Sequence, residues 1–273
     1  MKLQLLLALM ALMLLMACAG PVSRPPVDVE SFSLSASLSL AKPAQKALYN
    51  PLSEDLFALA AKDQEIAIYK SNVLKNVVGG LGTGTGNFLN LSDIAIAPDG
   101  ALFALDLATR RIVKFTNDGE VMSSLELQNS SQPSLLAISG DQTLYVFDQA
   151  ASEIVVYSAM DGSEQNRFGR FELQQLDLLS CNRDYVVGYD ATNNTSHVFS
   201  SLGQFVKSEP GQSIYDAYNN AITLDDSGLT SQMSPAFLPL DGRDVLMSIA
   251  GDVLVLSKGS EVQFLKIGYQ QVE

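Results

Sequence analysis

Apolar and aromatic residues return along this chain in short bursts, each closed off by a turn pair. Four bursts align without strain: LFALAAKDQEIAIY ending at Tyr69, LFALDLATRRIVKF ending at Phe115, LYVFDQAASEIVVY ending at Tyr157 and YVVGYDATNNTSHVF ending at Phe199. The closing aromatics stand 46, 42 and 42 residues apart. Asp106, Asp148 and Asp190 hold one common place in three of the bursts, and Ala60 holds it in the first. Turn pairs keep the same beat, with Asp118-Gly119, Asp161-Gly162, Leu202-Gly203 and Asp241-Gly242 after the aromatic, and Asp99-Gly100, Gly140-Asp141, Arg183-Asp184 and Gly251-Asp252 before the LF-type strand. Short strands joined by tight turns predict one antiparallel sheet per repeat. A period near 42 with four short strands is the blade period of a β-propeller, and the amphipathic helices that a helical solenoid of similar period needs are not found in the sequence.

Residues 91–121, LSDIAIAPDGALFALDLATRRIVKFTNDGEV, resemble the NHL repeat family: a first strand, a Pro-Asp-Gly turn, a second strand ending in aspartate, and a third ending in an aromatic. The preceding GGLGTGTGNF, from Gly79 to Phe88, is similar to that family's glycine-rich connector. The resemblance implies an all-β fold, a six-bladed propeller of four-stranded antiparallel blades. Counted from the turns, the blades are expected at 47–78, 91–127, 134–168, 176–207, 214–245 and 246–266, the fifth being degenerate. Residues 32–40 alternate apolar residues with serine and are left over ahead of the first blade. They are expected to close the ring by joining the last one, since an open toroid leaves a strand edge exposed.

Ahead of the repeats the pattern changes. Met1-Lys2 gives a short positive start, and 3–17 is apolar with only Gln4 interrupting, the length of a signal core and too short for a comfortable membrane span. Leu15-Met16-Ala17-Cys18 resembles the bacterial lipobox, which implies cleavage before Cys18 and lipidation of its sulfur. Two or three acyl chains hold a soluble domain firmly, because each buried methylene contributes about 0.8 kcal/mol. Ala19 in place of aspartate implies, by resemblance to Gram-negative sorting, the outer membrane, with the domain facing the periplasm or the cell surface. Residues 20–27, GPVSRPPV, carry three prolines and read as an extended tether. The expected organisation is a signal peptide at 1–17, a lipidated N-terminus and linker at 18–30, and a propeller at 31–273.

Charge and composition narrow the chemistry. The 273-residue chain has 17 basic and 30 acidic residues, a formal charge of −13. Nucleic acid is therefore excluded as a partner, since phosphate binding draws its affinity from cationic side chains. The two cysteines are Cys18 and Cys181, so with Cys18 lipidated no internal disulfide forms, and Cys181 in LLSCNRD reads as a buried inert thiol. One histidine, His197, cannot build a histidine metal cluster and reads as a surface strand residue. GGLGTGTG lacks the Lys-Ser/Thr and the helix of a phosphate cradle. The triplets around Asn193 and Asn194 read as a polar hairpin tip, and Asp106, Asp148 and Asp190 as acceptors for backbone N–H groups.

Function is the least determined by these residues. The expectation is a non-catalytic envelope protein whose propeller binds another protein. The alternatives are a ligand- or polysaccharide-binding module and a metal-dependent lactonase- or lyase-like enzyme, the latter by analogy of ring shape. No cofactor is expected except at one place. Asp93 and Asp177 are 84 residues apart, each seven residues before its turn, which predicts equivalent positions lining the channel, with Asp216 as a third member. Converging carboxylates of this kind attract a hard cation such as Ca²⁺.

Overall fold

The computed structural model describes residues 27–272 apart from 233 and 243; the expected leader and lipidation site at Cys18, with the residues up to 26, lie outside them. Among the described residues twenty-four strands form six four-stranded antiparallel sheets. Blade 1 is β2 (Lys46–Asn50), β3 (Asp55–Ala60), β4 (Glu65–Lys70) and β5 (Val73–Gly79). Blade 2 is β6 (Leu91–Ile96), β7 (Leu102–Asp106), β8 (Arg111–Phe115) and β9 (Val121–Glu126). Blade 3 is β10 (Pro133–Ile138), β11 (Thr143–Asp148), β12 (Glu153–Ser158) and β13 (Glu164–Phe168). Blade 4 is β14 (Leu178–Cys181), β15 (Tyr185–Asp190), β16 (Thr195–Ser200) and β17 (Phe205–Pro210). Blade 5, with its last two strands cut to four and three residues, is β18 (Gln212–Tyr215), β19 (Ala221–Asp225), β20 (Gly228–Ser231) and β21 (Phe237–Pro239).

The sixth blade joins the two ends of the chain. Its strands β22 (Leu246–Ala250), β23 (Val253–Lys258) and β24 (Glu261–Gln271) are completed on the outside by β1 (Val27–Ser39), antiparallel to β24 from Val27↔Gln271 to Ser39↔Glu261. The expected closing strand is therefore present and longer than 32–40. Pairing starts at Val27, so the last residues assigned to the linker, 27–30, are strand, and Val29 is fully buried among Ile214, Ile222 and Leu265. Innermost strands pack in the order β2, β6, β10, β14, β18, β22 and back to β2, so the ring is complete.

Each blade is sandwiched between two others, which is why its middle strands are apolar on both faces instead of alternating. LFALD in β7 and DLFALA in β3 are buried at every position, while β5 and β9 on the rim are mostly exposed. The closing aromatics Tyr69, Phe115, Tyr157 and Phe199 are all buried between blades. The glycine beat has a packing cause as well. Gly203 has φ of 87°, and a Cβ there would lie 2.6 Å from the Phe168 ring of the preceding blade. Gly119, at 90°, would meet Val78 in the same way.

The recurrent aspartates act as the sequence suggested and reach further. Asp106 accepts from Ala108 and Thr109 in its own hairpin, and from Leu89 and Asn90 of the incoming connector. Asp148 repeats this with Ala150, Ser131 and Gln132. Asp190 takes the backbone and side-chain N–H groups of Asn193. Burial pushes the Asp106 carboxyl up, but the N–H groups of Leu89, Thr109 and Asn90 outweigh it and hold the group below its ordinary range.

Candidate functional site

The topology gives the ring two unlike faces. Hairpins joining first to second and third to fourth strands lie on one, here the hairpin face; blade-to-blade connectors lie on the other, the connector face. β1 starts on the hairpin face, where Asn220 Nδ2 donates to the Val27 carbonyl at 2.9 Å. The central channel opens on this face as a mouth of about 470 Å³, lined by Tyr49, Leu52, Pro98, Cys181, Arg183 and Ile249 among others from the six inner hairpins. Deeper in, it narrows to about 110 Å³ between Leu48, Ile94, Leu136, Leu179, Ile214 and Met247.

Near the connector face the channel is tied across by a buried ion pair. Lys46 and Asp93 are the only charged residues in the six innermost strands. Lys46 Nζ, 12% exposed in its side chain, lies 2.9 Å from both oxygens of Asp93, which is 3% exposed, and 3.2 Å from the Leu136 carbonyl. Asp93 Oδ2 also accepts from Leu136 N at 2.7 Å and Oδ1 from Ile94 N at 2.8 Å. Blades 1, 2 and 3 are thus pinned through one ammonium and one carboxylate, with every donor of the ammonium used. Full burial pushes the Asp93 carboxyl up, opposed by the Lys46 ammonium and the two N–H groups.

The three carboxylates expected to share the channel do not meet. Asp93 is occupied by Lys46. Asp177 is exposed just ahead of β14, and its Oδ2 accepts from Ala191 N at 2.8 Å. Asp216 is buried in the inner hairpin of blade 5, where it takes the N–H groups of Tyr218 and Asn220 and the Asn220 side chain. The equivalence of Asp93 and Asp177 fails by one residue. Asp93 pairs with Leu105, the residue before Asp106, while Leu178 pairs with Tyr189, the residue before Asp190. In blade 2 the hairpin closes from Ala97 to Ala101 and in blade 4 from Asn182 to Tyr185, one residue fewer, so counting back from the turn lands one place off. A slip of one along a strand reverses the side chain. Among the described residues no group of three or more His, Cys, Asp and Glu is placed to hold a metal ion.

Lys46 is the channel residue that sequence reasoning missed. Its signal was available: a lone lysine in an inner-strand pattern, with a lone aspartate in the next repeat. Cys181 lies in the channel wall, and burial pushes its thiol up to about 12. We expect it to react with iodoacetamide at pH 8 roughly a thousandfold more slowly than a free thiol, as read by mass spectrometry, because so little thiolate is present. Modification at the rate of a free thiol would show an open, ionised cysteine instead. His197 sits in β16 with Nδ1 3.0 Å from Ser208 Oγ, on the flank of blade 4 and outside the channel.

No protein-family model matches the chain, and no curated protein matches it. Among solved structures it is similar to the Pan2 WD40 domain of Neurospora crassa, at 11% identity and a TM-score of 0.58 over 90% of this chain and 98% of that one. Virginiamycin B lyase of Staphylococcus aureus is similar at 12% identity and 0.58, over 86% and 99%. Hydrazine synthase of Kuenenia stuttgartiensis gives 11% and 0.54, over 80% and 75%. This is a β-propeller. Proteins with such different names share the ring, so the likeness carries the architecture and leaves the chemistry to this chain's own residues.

Proposed function

We propose that the protein is a lipid-anchored envelope protein whose propeller serves as a rigid interaction scaffold. The observation that carries the scaffold reading is the mouth on the hairpin face, a concave, largely apolar surface with Leu52 83% exposed at its edge. Solvent-facing leucine beside an apolar cavity is what a recognition surface presents. The anchor reading rests on Leu15 to Cys18 and on the proline-rich residues behind them, and Ala19 in place of aspartate points to the outer membrane for the location. The lyase-like alternative draws on ring shape alone. One of the similar lyase structures is described as inactivated by replacement of a histidine, whereas the single histidine of this chain lies on a blade flank.

Two measurements test the two halves. Cys18→Ser should move the protein from the membrane fraction to the soluble one and abolish incorporation of labelled palmitate. Retention in membranes together with no acyl mass on the wild type would overturn the anchor. For the scaffold, affinity isolation from native membranes should recover one stoichiometric partner with the wild type and much less with Leu52→Ser. Equal recovery by both, or none by either, would overturn a partner at the mouth.

A further inference from the structure

We infer that the mouth on the hairpin face takes a cationic protein segment with an apolar side chain at its tip. This deepens the scaffold reading and rests on it. The observation is a ring of charge. Each of the six inner hairpins carries one carboxylate at the mouth or within two residues of its lining: Glu54, Asp99, Asp141, Asp184, Asp216 and Asp252. All but Asp216 are exposed, and the same hairpins hold a single base, Arg183. Among the described residues none of the six is in an ion pair with lysine or arginine.

Local hydrogen bonds account singly for four of these acids, Asp99, Asp141, Asp184 and Asp216. Asp99 Oδ1 accepts from Ala101 N, and Asp184 Oδ2 from the Asn219 side chain, bonds that close or brace a hairpin. Their sum is a different matter, because sixfold repetition places these acids around one concave apolar opening. Like charges around a low-dielectric cavity focus a negative potential into it. Tyr49, which lines the mouth, has its hydroxyl pushed up first by burial and then by Glu54, Asp252 and Asp55. The connector face differs, since Lys42, Lys62, Arg110, Arg170 and Lys258 are interspersed with its acids. A lipid surface with anionic headgroups is disfavoured at the mouth by the same charge that favours lysine and arginine. The apolar floor around Pro98, Ile138 and Ile249 asks for an aliphatic or aromatic tip between those bases.

The test uses the full-length protein in phosphatidylcholine nanodiscs, with empty discs as blank. Fluorescence anisotropy is read with three peptides: Lys-Lys-Leu-Phe-Lys-Lys, a version with Ser-Ser at its centre, and a version with Glu for every Lys. The first should bind saturably, lose about tenfold in affinity between about 0.05 and 0.3 M salt, and exceed the other two by at least about tenfold. Leu52→Ser and the double variant Glu54→Gln with Asp252→Asn should each weaken it about tenfold. Their side chains are exposed, so unchanged thermal melting is the check that the ring is intact. Equal binding of the three peptides, or unchanged binding by both variants, would overturn the inference. Binding of phosphatidylglycerol vesicles by the protein in the absence of peptide, lost in Leu52→Ser, would assign the mouth to lipid and likewise overturn it. A membrane partner retained by both variants but lost on Phe171→Ser, at an exposed connector position, would leave the scaffold standing and move its surface to the other face.

Discussion

Asp93→Asn should lower unfolding free energy by about 3–5 kcal/mol, because it leaves the Lys46 ammonium buried without its counter-charge. Lys46→Met should cost a similar amount from the other side. The double variant Lys46→Met with Asp93→Leu removes both charges and should recover to within about 1–3 kcal/mol of wild type, the remainder reflecting the Leu136 N–H that loses its acceptor. Urea unfolding of the three variants reads this directly. Additive losses in the double variant would show that the two residues stabilise the ring separately.

Removal of 27–39 should have the larger effect. It strips β24 of its outer neighbour along the whole ladder and uncovers the cluster around Ile214, Ile222 and Leu265 that Val29 seals. Loss of buried Val29 together with half-buried Val27, Phe32, Ala36 and Leu38 amounts to about 5 kcal/mol, comparable with the lower end of an ordinary domain's stability. We expect an aggregating protein with no cooperative thermal transition, since a free strand edge invites pairing with other chains. A synthetic peptide of residues 27–39 added in trans should bind the vacated edge and restore the transition. A truncated chain that melts as sharply and as high as the intact one would show that the ring holds without β1.

Most of the ring was legible from local signals. The LF-type bursts are buried on both faces and so read as unbroken apolar runs, and the glycines recur because hairpin tips pack on the neighbouring blade. The leftover serine-and-leucine alternation before blade 1 also identified the closing strand, because nothing else in the chain could pair with it. Register was harder. Equivalence between Asp93 and Asp177 required every hairpin to have equal length, and the missing residue in blade 4 is invisible when the repeat beat itself is preserved at 42. The buried pair was harder still: Lys46 and Asp93 are 47 residues apart, and only the curvature of the ring brings them together. Four of the six carboxylates at the mouth were present as turn pairs, whose meaning changed once six turns were seen to share one rim.

The outer position of β1 also has a mechanical meaning. β1 is the strand through which the chain enters the ring, and its axis runs from Val27 on the hairpin face to Ser39 on the connector face. Consider a pull on Val27 along that axis, resisted by the body of the ring; it runs parallel to β24. The backbone hydrogen bonds between the two strands are then loaded together in shear, and none can open before its neighbours share the strain. Had the chain entered at right angles to the sheet, the same force would peel the ladder one bond at a time. The seam that closes the ring is thus set in its stronger direction against tension from the N-terminus.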